Sequence, residues 1–138
     1  MNGGDFLDTN VVVYAYDESN PQKQRIARHL LNAGVTGNIV ISTQVLAEFA
    51  ATMLHKASPP ATADAIMEGL DALTTIRLIV PDGELVRRAV QARAAYGIHF
   101  YDGMIVAAAE RAGCKRILSE DLSAGQEYFG ITVSNPFR

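Results

Sequence analysis

Short apolar runs alternate with helix-forming segments along almost the whole chain, and this alternation limits the fold more than any other feature. Asp5 to Leu7 reads as a short strand, and Thr9 or Asn10 opens a helix to about Tyr16. Asn20-Pro21 places proline at the first position of a second helix, Pro21 to Ala33, which Gly34 closes. Asn38 to Ile41 is apolar and strand-like. Ser42-Thr43 offers a cap for a helix from Gln44 to His55, where Val45, Leu46, Phe49 and Met53 recur with the helical period. Ala61 to Leu73 is another helix, and Ile76 to Val80 is a strand rich in β-branched residues. Asp82 caps Gly83 to Tyr96, and Gly97-Ile98-His99 forms a loop. Tyr101 or Asp102 starts a helix ending at Ala112-Gly113, Arg116 to Leu118 is a strand, and Ser119 to Gln126 is a loop with room for one helical turn. Gly130 to Val133 is the last strand. Pro59-Pro60 breaks the chain between helices and does not divide domains. The pattern is that of a single α/β domain over residues 1–138, with a central, mostly parallel sheet of about five short strands and helices on both faces.

In such sheets ligands bind beyond the carboxyl ends of the strands, near a topological switch point. Asp8 follows the first strand and Ser119-Glu120-Asp121 follows the fourth, so both reach that edge. Asp8 lies between Phe6-Leu7 and Val11 to Tyr14, where an unpaired charge is costly. It can cap the helix that follows or hold a cation. Glu48 is the only formal charge between Arg28 and Lys56, and Asp102 the only one between Arg93 and Glu110. Each alone fits a cap or a helix rim. Several carboxylates in one pocket repel each other, and a divalent cation relieves that repulsion. Oxygen donors without a cysteine cluster favour Mg²⁺ or Mn²⁺ over Zn²⁺, and such a site suits water attack on phosphodiesters.

Composition narrows the choice. The net charge of −3 argues against nucleic-acid binding by bulk charge, but not against an enzyme that works on nucleic acid through bound cations. One cysteine, Cys114, excludes an internal disulfide and reads as a small buried thiol of a reducing cytosol. Apolar runs of about ten residues are too short to span a membrane. The opening Met1-Asn2-Gly3-Gly4 reads as a flexible lead-in, not a signal peptide. His29, His55 and His99 share no metal-ligand spacing, although His99 lies near Asp102. Arg87, Arg88 and Arg93 form the densest basic group, read as a solvated face with phosphate contact as the alternative. Glu120 reads as a solvated loop acid, and Ser119 and Thr9 as hydroxyls beside candidate ligands.

The chain resembles the PIN-domain family and, within it, the VapC ribonuclease toxins of toxin–antitoxin pairs. Leu7-Asp8-Thr9-Asn10 matches the opening Asp-Thr/Ser-Asn/Ser signature. The stretch from Ser42 to Phe49 resembles the second motif, with Glu48 as its acid, and Phe100 to Ala109 the third, with Asp102. Ile117 to Leu122 resembles the Thr/Ser-x-Asp motif, with Ser119 and Asp121. Ala47, Tyr101 and Gly103 depart from the usual Asn, Trp and Ala, and Gly103 is expected to loosen the start of its helix slightly. The resemblance implies a three-layer α/β/α sandwich and a cytoplasmic prokaryotic endoribonuclease that cuts single-stranded RNA with Mg²⁺ or Mn²⁺. Asp8, Glu48, Asp102 and Asp121 would be the metal acids, with Ser119, Thr9 and Asn10 orienting them or a water. It also implies a homodimer and a cognate VapB-like antitoxin. The rivals are a non-catalytic PIN-like binding module, a phosphoacceptor signalling domain and a haloacid-dehalogenase-like phosphatase. The last two want an acidic partner close to Asp8, where Thr9 and Asn10 stand instead.

Overall fold

The computed structural model describes residues 4–138, apart from the Val35 side chain. Most of the lead-in therefore lies outside the described residues. Gly4, its last residue, is closely fitted: a Cβ there would fall 2.3 Å from the Asn38 carbonyl oxygen.

The elements run β1 (Asp5–Leu7), α1 (Thr9–Tyr14), α2 (Pro21–Ala33), a 3₁₀ turn (Gly34–Thr36), β2 (Ile39–Ser42), α3 (Thr43–His55), α4 (Ala63–Leu73) and β3 (Arg77–Ile79). They continue with α5 (Gly83–Tyr96), α6 (Phe100–Arg111), β4 (Arg116–Leu118), β5 (Glu127–Tyr128) and β6 (Ile131–Ser134). The helix starts follow local chemistry. Asn20 accepts from the Lys23 amide ahead of Pro21, Ser42 from Val45, Thr62 from Ala65 and Asp82 from Leu85.

The sheet has six strands in the order β3-β2-β1-β4-β6-β5, one more than the sequence suggests. The additional strand, β5, runs antiparallel to β6, and all the other pairings are parallel. Phe129 and Gly130 make the two-residue turn between β5 and β6, with φ of 49° and 81°. Left-handed backbone at both turn positions suits the twist of a hairpin but is unusual for phenylalanine. Its surroundings hold it there: the Tyr96 hydroxyl accepts from the Phe129 amide at 2.8 Å, and the Arg88 guanidinium lies 3.6 Å from its ring centroid.

From β1 the chain moves through β2 to β3 in one direction, then returns across β1 to β4 and continues to β6. Right-handed crossovers put α1 to α4 on one face of the sheet and α5 and α6 on the other. Phe6, Leu7, Val40, Ile41, Ile117 and Leu118 are buried between these layers. In α6, Ile105 to Ala109 are all buried, so the helix is apolar around its circumference. Cys114 is buried too, and burial pushes its thiol up to about 11.

Candidate active site

The order in which strands are added reverses between β1 and β4, which lie side by side and parallel with Leu7 paired to Leu118. That boundary opens a crevice beyond the strand ends. Asp8 and Ser119, the next residues along, are buried there at 7% and 0% exposure.

Asp8 both caps α1 and faces the crevice. Its Oδ1 accepts from the Thr9 amide at 2.8 Å, so Asp8 itself is the cap and the helix begins at Thr9. Its Oδ2 accepts from Ser119 Oγ at 2.7 Å and from Asn10 Nδ2 at 3.3 Å. Ser119 Oγ also accepts the amides of Asp121 and Leu122, each at 3.1 Å, which curls the loop after β4 around it. Asn10 Nδ2 reaches Asp121 Oδ2 at 3.1 Å, and Asn10 Oδ1 accepts the Glu120 amide at 3.0 Å. One asparagine thereby joins both lips of the crevice. Glu48, on α3, enters through Thr9, whose Oγ1 donates to Glu48 Oε1 at 2.8 Å.

Asp102 sits in the first turn of α6 and is half-buried. It is not the cap: His99 Nδ1 accepts the Tyr101 amide at 3.2 Å and takes that role. Burial raises the Asp102 carboxyl, the nearby His99 lowers it, and Asp121 raises it further. Asp8 is pushed up to about 6, chiefly by burial. The bonds from Ser119 and Thr9 pull it down, while the charges of Asp102 and Asp121 push it up. The acids therefore feel one another across the crevice. Among the described residues, however, no three acidic, histidine or cysteine side chains form a ready-made cage for an ion. The amide and hydroxyls of Asn10, Ser119 and Thr9 occupy oxygens that a cation would use.

Glu120 differs from the solvated acid expected. It accepts from the Tyr14 hydroxyl at 2.6 Å and from Lys23 Nζ, and these bonds, Lys23 first, hold its carboxyl below the usual range. Lys23 Nζ also lies 4.7 Å from the Tyr14 ring centroid. Glu120 thus points away from the crevice and fastens the loop that bears Ser119 and Asp121 to α1 and α2. Gln44, which the sequence reading passed over, lies one turn before Glu48. Its Nε2 reaches Glu48 Oε1 at 3.4 Å and the Tyr101 carbonyl at 3.0 Å, tying α3 to α6. The i, i+4 spacing of Gln44 and Glu48 was the available signal. Ala47, which stands where the family usually has Asn, is exposed. The arginine group is divided: Arg88 binds Glu110, Arg93 donates to the Ile98 carbonyl, and Arg87 stays exposed near Glu84.

Gly103 also departs from expectation. A Cβ there would lie 2.6 Å from the Ala89 carbonyl oxygen of α5, so the glycine permits a close helix crossing instead of loosening the helix start. No helix among the described residues is long and apolar enough to cross a membrane.

No curated protein matches the sequence. Solved structures do match in fold. The VapBC complex of Salmonella typhimurium bound to DNA aligns at a TM-score of 0.70 and 20% identity over 99% of each chain. A toxin–antitoxin complex from Klebsiella pneumoniae gives 0.68 and 20% over 96% of this chain and 98% of that one. The sarcin-ricin-loop-cleaving toxin VapC20 of Mycobacterium tuberculosis gives 0.68 and 16% over 94% and 99%. At these identities the likeness is one of fold. The PIN domain profile matches residues 6–124, a span that includes Asp8, Glu48, Asp102 and Asp121, and the chain belongs to the PIN domain family.

Proposed function

We propose that the protein is a metal-dependent endoribonuclease that cuts single-stranded RNA, the toxin of a VapBC-type pair. The observation that carries this reading is Asp8: a buried carboxylate at the sheet's switch point, facing Asp102 and Asp121. A buried carboxylate with like charges beside it calls for a counter-cation. The donor set, carboxylates and hydroxyls without cysteine, suits Mg²⁺ or Mn²⁺. Asp8 and Asp102 would hold the ion, with Glu48 and Asp121 completing the set directly or through water. When bound, the ion neutralises the carboxylates, polarises the phosphodiester and activates water.

The chain's own groups have separate tasks. Thr9 holds Glu48 in a fixed rotamer, and Ser119 holds Asp8. Asn10 keeps the two lips of the crevice in register. Glu120 acts at one remove, through the loop. Glu120→Ala is expected to lower kcat about tenfold with little change in KM, since small misplacements of reacting groups are costly. Steady-state kinetics on a labelled RNA would check this, and an unchanged kcat would remove the role.

The toxin reading is supported by the fold likeness to VapBC complexes, and with it we propose a homodimer and a VapB-like antitoxin as partner. The central test is cleavage of single-stranded RNA by purified protein with Mn²⁺, with Mg²⁺ and with chelator. Cleavage only with an ion, reduced at least a hundredfold by Asp102→Asn, is the expected result. Wild-type protein that does not cut, or cleavage that Asp102→Asn leaves intact, would favour a non-catalytic binding module.

A further inference from the structure

We propose that Tyr101 is a stacking platform for an unpaired RNA base next to the scissile phosphate. The inference rests on the ribonuclease reading and deepens it by naming how the substrate is held. Tyr101 directly precedes Asp102, and its side chain is open to solvent at 55% exposure. Its neighbours fix it in place. The His99 ring stacks on it at 5.8 Å between centroids and 24° between planes. Phe100 meets it edge-on at 5.2 Å and 69°. Its amide is bound by His99 Nδ1 and its carbonyl by Gln44 Nε2. An exposed ring held from three sides loses little conformational freedom when a base covers it.

Charge gives the second reason. The protein carries a net charge of −3, and the crevice is lined with carboxylates. Arg88 is occupied by Glu110 and Lys23 by Glu120. With these two cations held in ion pairs, affinity for RNA gains from the bound cation and from contacts that do not depend on charge. Base–aromatic stacking is such a contact. It tolerates any base and requires one that is unpaired, so the platform itself selects single strands over duplex.

The test is a single-stranded oligoribonucleotide carrying 2-aminopurine, bound with Ca²⁺ in place of Mg²⁺ to suppress turnover. Stacking quenches the fluorophore, and anisotropy gives the affinity. For wild type, quenching with the single strand and none with the duplex is expected. Tyr101→Ala should lose the quenching and about tenfold in affinity, while Tyr101→Trp keeps both. In cleavage, Tyr101→Ala should raise KM about tenfold and leave kcat within about twofold. Tyr101→Ala that still quenches, equal binding of duplex, or a Trp variant as weak as Ala would overturn the platform. So would a loss confined to binding of a protein partner. A wild type that binds and quenches but never cuts with Mn²⁺ would remove the enzyme reading and leave the platform standing, because quenching reports stacking and not turnover.

Discussion

Asp8→Asn is expected to end RNA cleavage and, in the metal-free protein, to raise stability at neutral pH. The second effect has the opposite sign to that expected for loss of a helix cap. Asp8 has a folded pKa of about 6 against an ordinary 3.8. The folded state therefore binds the proton more tightly than the unfolded state. This contribution favours folding fully below about pH 4 and is lost as pH rises through about 6. Above that, keeping the buried carboxylate ionised costs up to about 3 kcal/mol. Asparagine removes the charge and keeps an oxygen for the Thr9 amide, so the cap survives. Its NH₂ would take the place of Oδ2, which accepts from Ser119 Oγ at 2.7 Å and from Asn10 Nδ2 at 3.3 Å, and loss of these bonds gives back about 1 kcal/mol or more. The net gain is about 1–2 kcal/mol at pH 8 and turns into a net loss of about 1 kcal/mol near pH 4. Urea melts of both proteins at the two pH values would check it. A variant less stable at both would mean that the capping role outweighs the electrostatic one.

Gly103→Ala carries the other large effect. An alanine normally gains up to about 1 kcal/mol over glycine inside a helix. Here its Cβ would meet the Ala89 carbonyl oxygen at 2.6 Å and the Ala89 carbonyl carbon and Cα at 3.4 Å. The obstacle is backbone, so no side-chain rotation relieves it, and α5 and α6 have to move apart. Overpacking of this kind costs about 1–3 kcal/mol or more. The expected outcome is a net loss of about 2 kcal/mol and a Tm lower by about 5–10 °C, read by thermal denaturation. Because Gly103 follows Asp102, the shift should also displace that carboxylate, and kcat should fall with the Tm. A Tm that rises would show that the crossing has slack.

The parts of this structure legible in the sequence are those where local chemistry and burial agree. Helix α3 shows its period in Val45, Phe49 and Met53 and its start in Ser42, and all of these stand where expected. Asp102 stood out because α6 is apolar and buried from Ile105 to Ala109, which leaves Asp102 as the one formal charge between Arg93 and Glu110. Strand β5 was hidden for two reasons. It has two residues, too few for a period, and its turn uses Phe129 where an Asn-Gly pair would have announced a hairpin. The role of Glu120 was hidden because its partners, Tyr14 and Lys23, are about a hundred residues away in sequence. Gly103 misled for the same reason: helix propensity is local, while the Ala89 carbonyl it accommodates belongs to another helix.

The placement of β1 between β2 and β4 has a consequence for the chain as it is made. Asp5 pairs with Arg116, and Asp8 is held by Ser119, so the first strand stays half-paired until nearly the last segment arrives. Contacts of such sequence separation form late, and a growing chain emerges from its N-terminus. Glu48 and Asp102 are synthesised well before the loop that secures Asp8. A nascent chain on the ribosome therefore carries a disassembled site, and if the protein cuts RNA, it can do so only after synthesis is essentially complete. Fragments released early would be harmless to the RNA around them.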